Sequence, residues 1–270
     1  VKQIIVFEMD EQGRMKKGTQ PIFDGTFQGP DEIMEVLAMR LHQAGAAQAD
    51  VVAFRCDGAP WIWDRLAWVQ KRLQLSDKQV SLGLDWCHAI HHVSLALEAV
   101  LKGAERKRVY KKMRKWLKAS RWQKVVDELT ERATAAQLPE KAKVWTEIAY
   151  VGHHGEAGHM EYATYRRRGL PVGSGAIESA IRRVINLRLK GNSVFWEEGN
   201  AEGMLQIRGL VLSERWNDTF AKITASLATD RRLDWHWQSP DMTAKLKASA
   251  AASPPIPQPS TAQASYDAAA

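Results

Sequence analysis

Cysteine is scarce in this chain. Only Cys56 and Cys87 occur in 270 residues, too few for a disulfide framework, and such usage suits a reducing compartment. No run of about 18 apolar residues is present, so no membrane span is expected. The chain opens on VKQIIVFEM, without the basic, apolar and small-residue segments of a signal peptide. There is no HExxH, and no cysteine pair has zinc-finger spacing, which weighs against a zinc enzyme or finger. Acids are also outnumbered: 31 Asp and Glu stand against 38 Lys and Arg, a formal net charge of +7. That balance favours polyanionic partners, nucleic acid first. The apolar fraction is an ordinary 45%, enough for a sizeable core in one large domain or two small ones.

The first hundred residues alternate strand and helix signals. QIIVFEM and RMKKGTQPIF flank a DEQG turn and predict a hairpin over residues 3 to 23. A helix over 31 to 44 follows, opened by Pro30 and Asp31 and closed by Gly45. DVVAFRC reads as a short buried strand, then a helix over 61 to 73, a strand at QVSLGLD, and a helix at WCHAIHHVSLALEAVL. The pattern is α/β with a mixed sheet. After Leu101 the strand signal stops. Residues 102 to 124 hold eleven Lys or Arg and one acid, Glu105. Helix is predicted to about Tyr150, and GHHGEAGH breaks the pattern. Two more helices are expected at about 176 to 190 and 197 to 214. The Ala-, Ser- and Pro-rich tail is expected to be disordered from about 238.

Four groups of residues carry candidate chemistry. Asp57 follows a buried strand at a Gly turn, where α/β sheets collect ligands and a divalent metal finds a rigid carboxylate; a turn or helix-capping Asp looks the same. Glu178 sits in GSGAIES at the start of a basic helix, and alone it reads as a helix-dipole acid paired with Arg182. Together the two carboxylates could share Mg²⁺ ions for phosphodiester chemistry, with basic helices holding the phosphate backbone. In LDWCHAIHH, Asp85 and His88 are expected to flank that site. His88 and His92 have a spacing zinc can use, but a structural zinc is the weaker reading. His153, His154 and His159 are expected in an exposed loop, and Trp61 and Trp63 in packing. The 102 to 124 run is too biased in sign for a merely solvated face.

DGAPWIW, LDWCHAIHH and GLPVGSGAIESAIRRVINLRLKG, followed by FWEEGNAEGMLQIRGL, resemble in order and spacing the DDE transposases of bacterial insertion sequences, the ISKra-type group in particular. The resemblance covers about residues 1 to 220. It implies an RNase H-like fold with a mixed sheet and a three-carboxylate site for Mg²⁺ (or Mn²⁺). Asp57 corresponds to the second acid and Glu178 to the third. It implies a catalytic core in residues 1–101 and 169–220, a basic helical insertion over 102–168, and a tail over 221–270. Arg182, Arg183, Arg188 and Lys190 are expected on phosphates. The implied partners are transposon ends and target DNA, with a homo-oligomer as the working form. The implied location is the bacterial cytoplasm, at the nucleoid when DNA-bound, with no membrane association. The family's first acid lies on a first strand that this sequence does not show. Asp10 falls in a turn and Asp24 after a strand, so the expectation is an N-terminally truncated form without that acid. A reading of QIIVFEM as the first strand, ending at Asp10, stays open. So do an inactive DNA-binding remnant and an RNase H-like nuclease or resolvase.

Overall fold

The computed structural model describes residues 1–173, 175–190 and 195–233, with side chains to 227. The chain divides into two compact units, Val1–Thr219 and Phe220–Ala270. The expected disorder from 238 lies outside the described residues. Of the second unit the structure describes only helix, in which the Thr224 hydroxyl donates back to the carbonyls of Phe220 and Ala221.

The first unit is mixed α/β and mostly helical. Strands β1 (Lys2–Val6) and β2 (Ile22–Thr26) pair antiparallel, from Lys2 against Thr26 to Val6 against Ile22. The hairpin expected over 3 to 23 is thus displaced. Its second strand starts at Ile22 because the stretch before it is polar, with Lys16, Lys17 and Gln20, and touches the first arm only through an isolated Met9–Met15 bridge. Asp24 lies inside β2 rather than after it. There it is buried, paired with Arg40 at 2.5 Å and with Arg215 at 2.9 Å.

Helix α1 (Pro30–Gln43) starts on Pro30 with Asp31 and Glu32 in its first turn, residues that suit a helix N-terminus. Gly45 follows it at φ 75°, a left-handed conformation that favours glycine. Strand β3 (Val52–Cys56), helix α2 (Pro60–Arg72) and strand β4 (Val80–Leu84) then form a parallel βαβ unit, registered from Val52–Val80 to Cys56–Leu84. β1 and β2 form one sheet and β3 and β4 another. Ile33, Met34, Phe54, Leu66 and Val69 make the core beneath β1 and β3.

Helix α3 (Trp86–Val100) leads into a helical block of α4 (Gly103–Lys118), α5 (Trp122–Ala135), α6 (Lys143–Glu156) and the short α7 (Tyr162–Arg167). α4 buries Val109, Met113 and Leu117, four residues apart, and leaves most of its cations in solvent. The block is interrupted where Ser120 and Gln137 take positive φ. Its core joins Leu97, Met113, Leu129 and Val151 to Leu84 of β4. Helix α8 (Gly175–Ile181) passes into a π turn at Arg182–Asn186, so the regular helix expected over 176 to 190 is shorter. Helix α9 (Glu198–Leu212) packs with α8 on Phe23 of β2, and helix α10 (Trp216–Leu233) ends the described chain.

Candidate metal centre and its cationic surround

β3 and β4 end together. Cys56 and Leu84 are register partners, and the Asp85 amide donates to the Cys56 carbonyl at 2.7 Å. Asp57 and Asp85 are therefore neighbours at the carboxyl ends of a parallel pair, where side chains face ligands. Their surroundings differ. Asp85 is 1% exposed at the start of α3. Asp57 is exposed, and one of its oxygens accepts the Ala59 amide at 2.9 Å, closing the turn into α2. The turn-forming role open to Asp57 from its sequence is thus filled by one oxygen.

α8 brings in the third acid. Ligand atoms of Asp85, Cys87 and Glu178 all lie within 4.8 Å of one another. His88 adds Nε2 at 4.0 Å from Asp85. Glu178 thus meets Asp85 and Cys87, while Asp57 is not a member of the group. Asp85, expected only to flank the site, is its most buried acid. The pairing of Glu178 with Arg182 is not formed among the described residues; Glu178 instead accepts a hydrogen bond from the Cys87 thiol. Burial first, then that bond and the charge of Asp85, push the thiol up to about 11, with Arg114 acting the other way.

The Gly turn after Asp57 is held by the helical block. Tyr150 and His154 of α6 both lie against the Gly58 backbone. His92 stacks on Tyr150 at 3.6 Å and meets Glu147 at 2.5 Å. Trp63 stacks on His159 at 3.8 Å, and His154 Nδ1 is 3.1 Å from His159 Nδ1. The exposed-loop reading of these histidines is therefore corrected: His153 and His154 belong to α6, His154 is 2% exposed, and His159 is half-buried. The signal was present, since Val144, Glu147, Ile148, Val151, His154 and Gly155 form one helical stripe. Burial first, then neighbouring histidines, hold His154 and His159 down to about 4. Both rings are neutral at pH 7 and act as packing, as Trp63 does. Burial and the charge of Asp57 push the Tyr150 hydroxyl upward.

Cations of α4 stand beside the group, and four more are exposed after α8. Arg182 and Arg183 lie on the π turn, and Arg188 and Lys190 follow; all four are exposed. Arg183 rests its guanidinium 5.2 Å from the Phe23 ring. From α4, Arg114 acts on Cys87, and Lys118 Nζ stands 5.6 Å from the Trp86 ring. Lys118, Trp86, Tyr162, Arg166 and Arg167 line a cavity of about 630 Å³. Sequence reasoning treated the 102 to 124 run as a whole and did not single out Arg114 or Lys118, because their approach to α3 depends on how α4 packs.

No family model, curated protein or solved structure matches the chain. The donor set therefore has to be judged on its own chemistry. Mg²⁺ holds oxygen ligands at about 2.0–2.1 Å, so opposite ligands are about 4.2 Å apart. Groups within 4.8 Å of each other fit round one such ion after small side-chain movements. The two carboxylates suit a hard cation; Cys87 would suit a softer one only as the thiolate, and its raised value keeps it a thiol at neutral pH.

Proposed function

We propose that the chain is a DDE transposase-type polypeptide that cleaves and transfers DNA strands. The observation that carries the reading is the meeting of Glu178 with Asp85 at the carboxyl end of β4, 178 − 85 = 93 residues apart in the chain. The element order supports an RNase H-like sheet: an antiparallel pair, a helix, then a parallel βαβ unit. The helical block between α3 and α8 sits where the resemblance expects an insertion.

Asp85 and Glu178 are the residues that would hold Mg²⁺ or Mn²⁺, with Asp57 on the neighbouring strand end. A divalent ion there would neutralise charge developing on a phosphodiester. The chain's own groups do the rest. Arg114 and Lys118 of α4, and the exposed Arg182, Arg183, Arg188 and Lys190, hold phosphates. The Asp57 turn is fixed by Tyr150 and His154, so its carboxylate keeps one orientation. In cleavage, a water oxygen bonds to phosphorus and the 3′ oxygen leaves with a proton. In transfer, that 3′ oxygen bonds to the phosphorus of a second phosphodiester, whose own 3′ oxygen leaves carrying the proton that the attacking hydroxyl gives up.

The test uses the purified chain, supercoiled plasmid, linear transposon-end DNA and Mg²⁺ or Mn²⁺. Nicking or joining is expected, lost in Asp85→Asn, Glu178→Gln and Asp57→Ala while DNA binding persists. Cutting without joining would favour the nuclease reading. Binding with no metal-dependent cutting by the unsubstituted chain would favour the inactive remnant. Full cutting by Glu178→Gln would remove the site assignment.

A further inference from the structure

The cavity of about 630 Å³ beside α3 has the size usual for a small organic ligand. Its lining combines rings, cations and one acid. Trp86 and Tyr162 supply the rings, Lys118, Arg166 and Arg167 the cations, and Glu11 the acid. The rings are fixed in place. The Trp86 amide donates to the Val172 carbonyl at 3.1 Å, its indole meets Tyr162 edge-on at 5.2 Å, and the Tyr162 hydroxyl donates to the Leu84 carbonyl at 3.0 Å. Another part of the wall is fixed too. Gly169 has φ 64°, and a Cβ there would lie 2.1 Å from the Glu11 carbonyl oxygen. The turn over 10–13 is therefore pressed onto the loop that carries Leu170 and Pro171, both of which line the cavity.

The cations have no acid of their own. Among the described residues none of Lys118, Arg166 and Arg167 forms an ion pair. Lys118 stands 5.6 Å from the Trp86 ring, at the outer reach of a cation–ring contact, and Arg167 bonds the Thr164 hydroxyl at 3.1 Å. All three are exposed, so their mutual repulsion is small in water, yet their common sign selects an anion. Three cations against Glu11 leave the lining with a formal charge of 3 − 1 = +2. An internal phosphodiester brings one negative charge, whereas a terminal phosphomonoester brings nearly two at neutral pH. A planar base attached to that phosphate can stack on Trp86. Glu11 offers an acceptor, and Gln12 a donor and an acceptor, to the polar edge of such a base. An aryl phosphate has no such edge and gives Glu11 nothing to accept.

We infer that this cavity binds a nucleotide that ends in a phosphomonoester. The base lies on Trp86, and Lys118, Arg166 and Arg167 hold the phosphate. A free nucleoside monophosphate and the 5′-phosphorylated end of a DNA strand present this same chemistry. The inference stands on the cavity and needs neither the metal centre nor strand cleavage.

The test uses the purified 270-residue chain in EDTA, so that no metal contributes. The probe is 2-aminopurine deoxyriboside 5′-monophosphate, whose fluorescence is quenched on stacking. Saturable quenching is expected. The same nucleoside without phosphate should bind at least tenfold more weakly. Arg166→Ala removes one exposed charge-assisted contact and should weaken the probe about fivefold. Trp86→Leu should remove the quenching; if that variant fails to fold, the surface change Arg166→Ala decides. Competition with short single-stranded DNA identifies the source. Displacement by a 5′-phosphorylated strand at least tenfold better than by its 5′-hydroxyl form assigns a DNA end. Displacement by neither strand assigns the free nucleotide. Absence of quenching in the full chain, equal affinity for the phosphate-free nucleoside, or unchanged binding in Arg166→Ala would overturn the proposal. So would equal displacement by both strands, or phosphotyrosine competing as well as the nucleotide.

Discussion

The contact between Gly58 and Tyr150 can be broken by one methyl group. A Cβ built on Gly58 would lie 1.7 Å from the Tyr150 hydroxyl oxygen and 2.3 and 2.5 Å from two of its ring carbons. Gly58 is not in the left-handed region, so its backbone accepts alanine and the penalty is purely steric. Tyr150 has to withdraw by more than an ångström. It then loses its contact with the Gly58 backbone and disturbs the 3.6 Å stack on His92, which itself is held by Glu147. Overpacking of this kind costs about 1–3 kcal/mol, and a lost hydrogen bond about 1 more. Gly58→Ala should therefore destabilise by roughly 2–4 kcal/mol, read as a lower urea midpoint. In a Tyr150→Ala background the three nearest atoms are gone, and the same change should cost less than about 1 kcal/mol. The coupling in the double-mutant cycle should reach about 2 kcal/mol. Equal penalties in both backgrounds would refute the reasoning that α6 holds the Asp57 turn.

Three further outcomes are expected. His154 and His159 have folded values near 4 against an ordinary value of 6.5, so unfolding takes up protons and stability falls as pH drops from about 6.5 to 4; His154 accounts for a loss on the order of 3 kcal/mol at most, and His154→Phe should flatten the pH profile of the urea midpoint. Asp24→Ala leaves Arg40 and Arg215 facing a buried gap and should cost about 3–5 kcal/mol in the same assay. Replacing Arg114 and Lys118 by Ala should weaken DNA binding and lower the slope of log K against log salt by about 2, one per phosphate contact, with unfolding unchanged.

Much of the fold was legible because single elements carried their own signals. Pro30 and Gly45 mark the ends of α1, and VVAF marks β3 as a buried strand between a helix end and a Gly turn. α4 was legible as helix because strand signals stop after Leu101. The β1–β2 register was not legible, since the apolar arms are separated by polar residues that could equally continue a strand. The burial of His154 was hidden by the composition of GHHGEAGH, although the stripe beginning at Val144 runs through it. Asp57 and Glu178 were visible from their turn and helix-start contexts. That Glu178 meets Asp85 and Cys87 was not, because it depends on the packing of α8 against α3 across 93 residues of chain. The π turn at Arg182–Asn186 ends the regular α-helix, and no residue pattern in RRVIN announces it.

The claim at the centre is that Asp85 and Glu178 form one cation site. Electron paramagnetic resonance of Mn²⁺ titrated into the chain reads this directly, since bound Mn²⁺ loses its sharp free-ion signal. One bound Mn²⁺ is expected, displaced by excess Mg²⁺, weakened at least tenfold in both Asp85→Asn and Glu178→Gln, and retained in a distant control such as Glu140→Gln. Equal Mn²⁺ binding by all four proteins would contradict it.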